Sequence, residues 1–147
     1  MNTHSHAFGL LTTQVFQANG LLIHWGDQFV ADLGLTSARW QMLGALNLAK
    51  QPQTSPQIAE RMGITRQGAQ KQLNLLQESG LIEAHDNPAH KRSPLYSLTE
   101  QGKAVYAEVY ARWEKTAEKW SADLSPAELA VAAKVLAHLV AQVKMEE

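Results

Sequence analysis

The sequence contains no cysteine, and this absence excludes several kinds of site. Without thiols the chain has no disulfide bridge, no thiolate metal ligand and no cysteine-based redox switch. Its stability must therefore come from packing and hydrogen bonds. A length of 147 residues is enough for one domain with a substantial core, and it is short for two.

Long apolar runs are also missing, although 45% of the residues are hydrophobic. No run approaches the roughly 20 residues needed to cross a bilayer, so we expect no membrane span and no membrane partner. The first nine residues, MNTHSHAFG, lack the basic and apolar segments of an export signal. We therefore expect a cytoplasmic protein.

Neither sign of charge dominates, since 13 basic and 14 acidic side chains give a net charge of −1. The basic excess that is typical of nucleic-acid-binding proteins is thus absent from the total. The distribution is uneven, because residues 54–98 carry five basic and four acidic side chains whereas residues 99–147 carry six and eight. An anion-binding surface is expected in the middle of the chain, if its few cations point the same way.

Catalytic and metal-binding patterns are absent as well. The glycines occur singly, and no nucleophile with a base or pair of carboxylates stands out. The acidic residues Glu114 and Glu118 are spaced for surface pairing with nearby basic side chains. The six histidines are scattered, and His4 with His6 forms at most a flexible N-terminal pair. We expect no enzyme activity, no metal site and no cofactor.

Apolar residues recur at intervals of three and four over most of the chain, which indicates helices. This spacing predicts a long first helix over residues 8–33. A second helix is expected after Thr36, which can cap it, and it ends before Pro52. Ser55 is predicted to be the N-cap of a short third helix that stops at Gly63.

A fourth helix is predicted almost immediately after that turn. Thr65 can cap the segment RQGAQKQLNLLQES, which ends at Gly80. The apolar residues that share one face of this helix are Ala69, Leu73 and Leu76. Two short helices joined by a tight turn form a helix-turn-helix.

Two short strands and two further helices are predicted after Gly80. The strands LIEAHD and LYSLT bracket NPAHKRSP, and a hairpin with a basic tip is a wing. Helices follow over residues 99–122 and from Ser125, which begins a capping box with a proline, to about Met145. The apolar face of the last helix needs a cover, either the first helix of the same chain or a second copy in a dimer.

The predicted fold class is mainly α with a small β-hairpin wing: a winged helix-turn-helix domain flanked by long dimerisation helices. Residues 1–34 and 100–147 would form the dimerisation region, and residues 35–99 the winged helix-turn-helix lobe. Together they would make one intertwined domain.

Three segments resemble the MarR family of winged helix-turn-helix transcription regulators: LTSARWQMLGAL, IAERMGITRQGAQKQLNLLQESGLI and NPAHKRSPLYSLTEQG. The similarity spans residues 35–102, and GLI followed by a basic loop and LTEQG is its most specific part. The flanking helices match only in pattern. The resemblance implies a homodimer that binds double-stranded DNA at an inverted repeat and acts as a repressor.

The resemblance also implies a DNA-binding surface. The fourth helix would enter the major groove, where arginine suits guanine and glutamine or asparagine suits adenine, and the wing would reach the minor groove. The implied DNA-binding residues are Ser55, Thr65, Arg66, Gln67, Gln70, Lys71, Asn74, His90, Lys91 and Arg92. Gly68 would allow the backbone to approach DNA closely. At the position of His90 the family commonly has an acidic residue, which would hold a wing arginine in place. Because this chain has histidine there, the rigidity of the wing is left open.

Finally, the resemblance implies a pocket for a small aromatic or phenolic effector between the dimer helices and the DNA-binding lobe. The candidate residues are Phe16, His24, Trp25, Trp40 and Trp113. Ordinary packing is the favoured interpretation of each of these side chains, because tryptophans at helical spacing usually pack in a core and a lone histidine is usually hydrogen-bonded. The alternative function is a winged-helix module that contacts proteins instead of DNA, which the near-neutral charge allows.

Overall fold

The computed structural model describes residues 2–147. Six α-helices and three short strands are found in this part of the chain. The helices are α1 Thr3–Phe29, α2 Ser37–Ala49, α3 Ser55–Met62, α4 Arg66–Glu78, α5 Glu100–Trp120 and α6 Pro126–Met145. The strands are β1 Gln53–Thr54, β2 Ile82–His85 and β3 Leu95–Leu98. The predicted fold class, mainly α with a small sheet, is confirmed.

Helix α1 begins and ends earlier than the spacing of apolar residues predicts. The side chain of Asn2 accepts a hydrogen bond from the backbone N–H of His4 at 2.9 Å, so the helix begins at Thr3 rather than near residue 8. It ends at Phe29, and a short 3-10 turn follows before Gly34, whose φ of 72° is left-handed. The predicted end at residue 33 is wrong because the spacing of apolar residues continues through that turn.

The N-cap of α3 is Thr54, and the prediction of Ser55 is wrong. Thr54 Oγ1 accepts from the backbone N–H of Gln57 at 3.3 Å, while Gln57 Oε1 accepts from the Thr54 N–H at 2.9 Å. This reciprocal pair is a capping box. Ser55 and Pro56 are therefore the first two helical residues, since proline is tolerated anywhere in the first turn.

The other predicted helix starts and the turn after α3 are confirmed. Gly63 ends α3 with a φ of 67°. The side chains that accept a hydrogen bond at the starts of α2, α4 and α6 are those of Thr36, Thr65 and Ser125.

The three strands form an antiparallel sheet in the order β1-β3-β2. Tyr96 in the central strand β3 pairs with Ala84 of β2 and with Gln53 of β1. Strand β1 was not predicted, because two residues are too short to show alternation. It runs directly into α3, so the sheet joins the hairpin to the start of the helix-turn-helix.

The core lies between α2, α3, α4 and the sheet. The apolar face predicted for α4 is confirmed, because Ala69, Leu73 and Leu76 are all 0% exposed. Ala59 in α3 is 2% exposed, as expected where two helices pack closely. The guanidinium of Arg39 in α2 donates to Gln72 Oε1 in α4 at 3.2 Å, which adds a polar link between these helices.

Gly102 lies where α5 begins against the residue before β2. A Cβ at this position would overlap the backbone carbonyl oxygen of Leu81. That oxygen also accepts from the Thr99 N–H at 3.1 Å, and the Thr99 hydroxyl donates to the Gly80 carbonyl at 2.7 Å. The glycine of the LTEQG motif is therefore required by a close backbone approach that ties the end of α4 to the start of α5.

The described chain divides into two compact units, one ending at Val109 and the other comprising Tyr110–Glu147. In the second unit, α6 has no buried residue, and by length and composition alone it could cross a membrane, with a mean hydropathy of 1.3. Lys134, His138 and Gln142 interrupt its apolar residues, and the expectation that the chain has no membrane span stays a prediction. The predicted division at residues 34 and 99 remains a prediction.

Candidate nucleic-acid interface

Helix α4 has one buried face and one exposed face. Opposite its apolar face, four side chains are exposed and Gln70 is half-buried. We call this set the reading face: Arg66, Gln67, Gln70, Lys71 and Asn74. The helical period places them together, as the sequence predicts. All of them except Arg66 border a shallow surface groove of about 740 Å³ along α4.

Thr65 and Gly68 fix the start of α4. Thr65 Oγ1 accepts from the Gly68 N–H at 2.9 Å. A Cβ at Gly68 would lie 3.0 Å from the same oxygen, which is a tight contact. The cap does not require glycine, since Gln57 and Glu128 hold the equivalent position in the capped helices α3 and α6. The close approach of Gly68 to DNA stays a prediction.

A hydrogen-bonded network joins the reading face to the wing. Gln70 Nε2 donates to Asn74 Oδ1 at 2.9 Å and to the Tyr96 hydroxyl at 3.1 Å. Tyr96 is 4% exposed, so its ring lies in the core while its hydroxyl reaches α4. Sequence reasoning missed Tyr96 as a site residue, because alternation in a short strand indicates burial without indicating where the hydroxyl ends.

The tip of the hairpin between β2 and β3 is held by Asn87. Its Oδ1 accepts from the Ala89 N–H at 3.1 Å, and its Nδ2 donates to the Ser93 carbonyl at 2.9 Å. The Asn87 carbonyl also accepts from the His90 N–H at 3.1 Å. The loop is thus braced without an acidic residue at position 90. The exposed residues of this basic wing tip are His90, Lys91 and Arg92.

The cations of the reading face and the basic wing tip are not neutralised by neighbouring carboxylates. Throughout residues 2–147, no salt bridge involves any of these four side chains: Arg66, Lys71, Lys91 and Arg92. By contrast, Lys103 Nζ in α5 lies 3.1 Å from Glu100 Oε1. Four exposed, unpaired cations are thus available to phosphate oxygens although the whole chain is near neutral.

The residues predicted for an effector pocket are brought together only in part. The rings of Trp25 and Trp40 lie 6.5 Å apart, and Phe29, which was not predicted, stacks on Trp25 with ring centres 4.5 Å apart. His24 is exposed and Phe16 is 75% exposed. The remaining candidate, Trp113, contacts Trp120 within the second unit, with ring centres 6.0 Å apart.

A second cleft, of about 460 Å³, lies between the end of α2, the sheet and the start of α5. Its lining includes Lys50, Glu83 and Lys103 and none of the predicted effector residues. The cleft therefore does not coincide with the predicted pocket.

The histidines do not form a metal site in the part of the chain that the structure describes. No group of three or more histidine, aspartate or glutamate side chains in residues 2–147 could hold a metal ion. His4 and His6 are exposed in the first turns of α1. Two residues apart on a helix, they do not face each other, so the expected flexible pair is wrong.

Together these features define the class of the protein. A helix-turn-helix whose second helix exposes amides and cations stands beside an antiparallel hairpin with a basic tip, and this arrangement is a winged helix-turn-helix.

Comparison with known proteins identifies the family within that class. A sequence profile of the MarR family matches residues 33–93. A protein of Mycobacterium tuberculosis, itself described as uncharacterized, is 36% identical over 136 residues, which cover 92% of this chain and 94% of that protein. The chain belongs to the MarR family.

Solved structures agree with this assignment. The structure of a MarR family transcription regulator matches with a TM-score of 0.75 at 28% identity. The match covers 99% of this chain and 100% of that chain. A mutant MarR from E. coli complexed with operator DNA has a TM-score of 0.75 at 19% identity, covering 88% of this chain and 92% of that chain. At that identity the second match shows the fold alone.

Proposed function

We propose that this protein is a transcription regulator that binds an inverted-repeat DNA operator as a homodimer and represses transcription. The observation that carries the proposal is the reading face with its unpaired cations beside the basic wing tip. Cations of this kind bind phosphate oxygens, and the amides between them suit base edges. The structural likeness to a MarR that was crystallised with operator DNA supports the same assignment.

Each part of the surface has its own role in this proposal. The reading face enters the major groove, and the basic wing tip of His90, Lys91 and Arg92 reaches the adjacent minor groove. The hydroxyl of Thr65 accepts a hydrogen bond within its cap and can still donate to a phosphate. Ser55 is left out of this surface, because it is 8% exposed and is not the cap.

The dimer is proposed because α1 and α6 leave large apolar side chains uncovered. Examples are Phe16 at 75% and Leu21 at 63% in α1, and Val140 at 52% and Val143 at 54% in α6. Soluble monomers rarely expose apolar patches of this extent. A second copy of the chain would bury them, and the two-fold axis would present two reading faces to two half-sites about one helical turn apart.

The proposal places the protein in the cytoplasm and gives it no catalytic role. A small aromatic or phenolic effector is proposed to release it from DNA, with the cluster of Trp25, Phe29 and Trp40 as the contact region. Titration of a phenolic acid against tryptophan fluorescence, with and without DNA, tests this part. The proposal is supported if the ligand quenches the fluorescence and lowers DNA affinity by the same factor by which DNA lowers ligand affinity. Quenching without any change in DNA affinity contradicts it.

The DNA-binding proposal is tested by selection from a randomised duplex pool, using the full chain. The expected result is enrichment of an inverted repeat whose half-site centres are separated by about 10 base pairs. The second candidate function, a protein-binding winged helix, is favoured only by the net charge of −1. It would be supported if the protein stays dimeric and folded and yet enriches no sequence.

A further inference from the structure

We propose that Gln70 and Asn74 read DNA as one linked pair, and that Tyr96 is the positioning residue that sets the orientation of the pair. The inference rests on the proposed function, because it specifies how the reading face meets base edges. It adds a residue of the wing strand to the determinants of sequence preference.

The first step is the hydrogen-bonding capacity of Gln70. Its amide nitrogen has two hydrogens, of which one is donated to Asn74 Oδ1 at 2.9 Å and the other to the Tyr96 hydroxyl at 3.1 Å. Both donors are therefore engaged within the protein. Among residues 2–147 no donor is found for Gln70 Oε1 and no acceptor for Asn74 Nδ2. These two atoms are the ones that the pair can offer to DNA.

The second step is the rigidity of Tyr96. Strand β3 is the central strand of the sheet, and Tyr96 is paired on one side with Ala84 and on the other with Gln53. Its ring belongs to the buried core. A hydroxyl mounted on such an element has a fixed position relative to α4, so Gln70 is held in one rotamer before DNA arrives, which lowers the entropy cost of binding.

The third step is the consequence for base recognition. A glutamine acting alone reads adenine by donating to N7 and accepting from the N6 amino group at once. Gln70 cannot do so while Tyr96 and Asn74 hold its nitrogen. It presents an acceptor, which matches the amino group of adenine or cytosine. Asn74 presents a donor, which matches guanine O6, thymine O4 or a purine N7.

The restriction does not depend on which end of the amide faces inward. Turning Gln70 and Asn74 together would exchange donor and acceptor, but the inward atom of Gln70 would again be occupied by Tyr96 and Asn74. In both orientations each residue offers one kind of group. In this proposal a joint readout takes the place of two separate contacts to adenine.

The test compares operator preference in three proteins: wild type, Tyr96→Phe and Tyr106→Phe. Tyr96→Phe keeps the ring in the core and removes the hydroxyl from Gln70. The control, Tyr106→Phe, makes the same change at a tyrosine that lies against Gly44 of α2. Each protein is used for selection from a randomised duplex pool, and its affinity for an unrelated duplex is measured over a range of salt concentrations.

The proposal predicts that Tyr96→Phe lowers discrimination by roughly twofold to tenfold at one base pair in each half-site, as expected for one hydrogen bond. That base pair is the one whose preference disappears in Gln70→Ala. Affinity for the unrelated duplex and its salt dependence should stay unchanged, because no phosphate contact is lost. Unchanged preference in Tyr96→Phe, or a loss equal to that of the control, overturns the inference.

A second measurement covers the case in which Tyr96→Phe unfolds. Gln70→Ala, Asn74→Ala and the double variant leave the Tyr96 ring and the apolar face of α4 in place, because Asn74 is exposed and Gln70 is half-buried. A linked pair predicts that the double variant loses clearly less discrimination than the sum of the two single losses, and additive losses overturn it. If the wild type selects no sequence at all, the proposed function fails as well. If it selects an operator and only these tests fail, the function stands without this readout.

Discussion

Substitution of Gly102 by alanine should destabilise the protein although it removes a glycine from a helix. The new Cβ would overlap the backbone carbonyl of Leu81, which cannot rotate away and already accepts a hydrogen bond from the Thr99 N–H. Overpacking of this kind costs about 1–3 kcal/mol, and the upper half of that range applies when backbone must move. Helix propensity returns about 1 kcal/mol. The free energy of unfolding should therefore fall by about 1–2 kcal/mol.

Urea unfolding followed by circular dichroism measures this effect. The protein concentration is held fixed, because the stability of the proposed dimer would depend on it. With a slope of about 2 kcal/mol per molar urea, the midpoint should fall by about 0.5–1 M. The matched control is Gly9→Ala in α1, where no atom lies within 4 Å of the new Cβ. Its midpoint should stay the same or rise. If the urea midpoint of Gly102→Ala rose as much as that of the control, the reasoning would be refuted.

Three further changes follow from the structure. Asn87→Ala removes the two side-chain hydrogen bonds across the wing tip. Amide hydrogen exchange in the loop should become faster, and DNA should bind roughly threefold to tenfold more weakly. Unchanged hydrogen exchange would show that Asn87 does not hold the loop. The pKa of Glu128 lies below its ordinary value because first the backbone N–H and then the side chain of Ser125 hydrogen-bond to its carboxylate. Since this pKa is depressed in the folded state, the capping contribution to stability is present at neutral pH and is lost as the pH falls through it. In an NMR titration the pKa of Glu128 should rise in Ser125→Ala, and an equal pKa would count against the cap. Val140→Asp places a charge on the apolar side of α6 and should shift the protein from dimer to monomer in sedimentation. The control, Lys134→Asp on the polar side of α6, should leave the dimer intact. Dimers in both variants would contradict the proposed dimer interface.

Local sequence signals were sufficient for the helix-turn-helix. The caps at Thr36 and Thr65 and the turn at Gly63 depend on residues within three or four positions of each other, so they can be recognised without tertiary information. The cap of α3 shows the limit. Thr54 and Ser55 are both good caps, and the choice between them depends on the reciprocal bond from Gln57.

Features that depend on contacts distant in sequence could not be predicted. Strand β1 exists because β3 pairs with it, and the reason for Gly102 is a carbonyl 21 positions earlier in the chain, at Leu81. The contact between Gln70 and Tyr96 spans 26 positions. The Asn-Pro pair at residues 87–88 predicts a turn, but it does not reveal that the Asn87 side chain hydrogen-bonds across the loop.

The most direct test of the central claim is the salt dependence of DNA binding by wild type, Lys71→Ala, Arg92→Ala and Lys103→Ala, with Lys103 as a control lysine that is already paired with Glu100. If the reading face and the basic wing tip hold DNA, binding should weaken steeply with salt. Lys71→Ala and Arg92→Ala should each lower the slope of log affinity against log salt by about one unit, while Lys103→Ala leaves it unchanged. Binding that ignores salt, or that changes equally in all three variants, would contradict the claim.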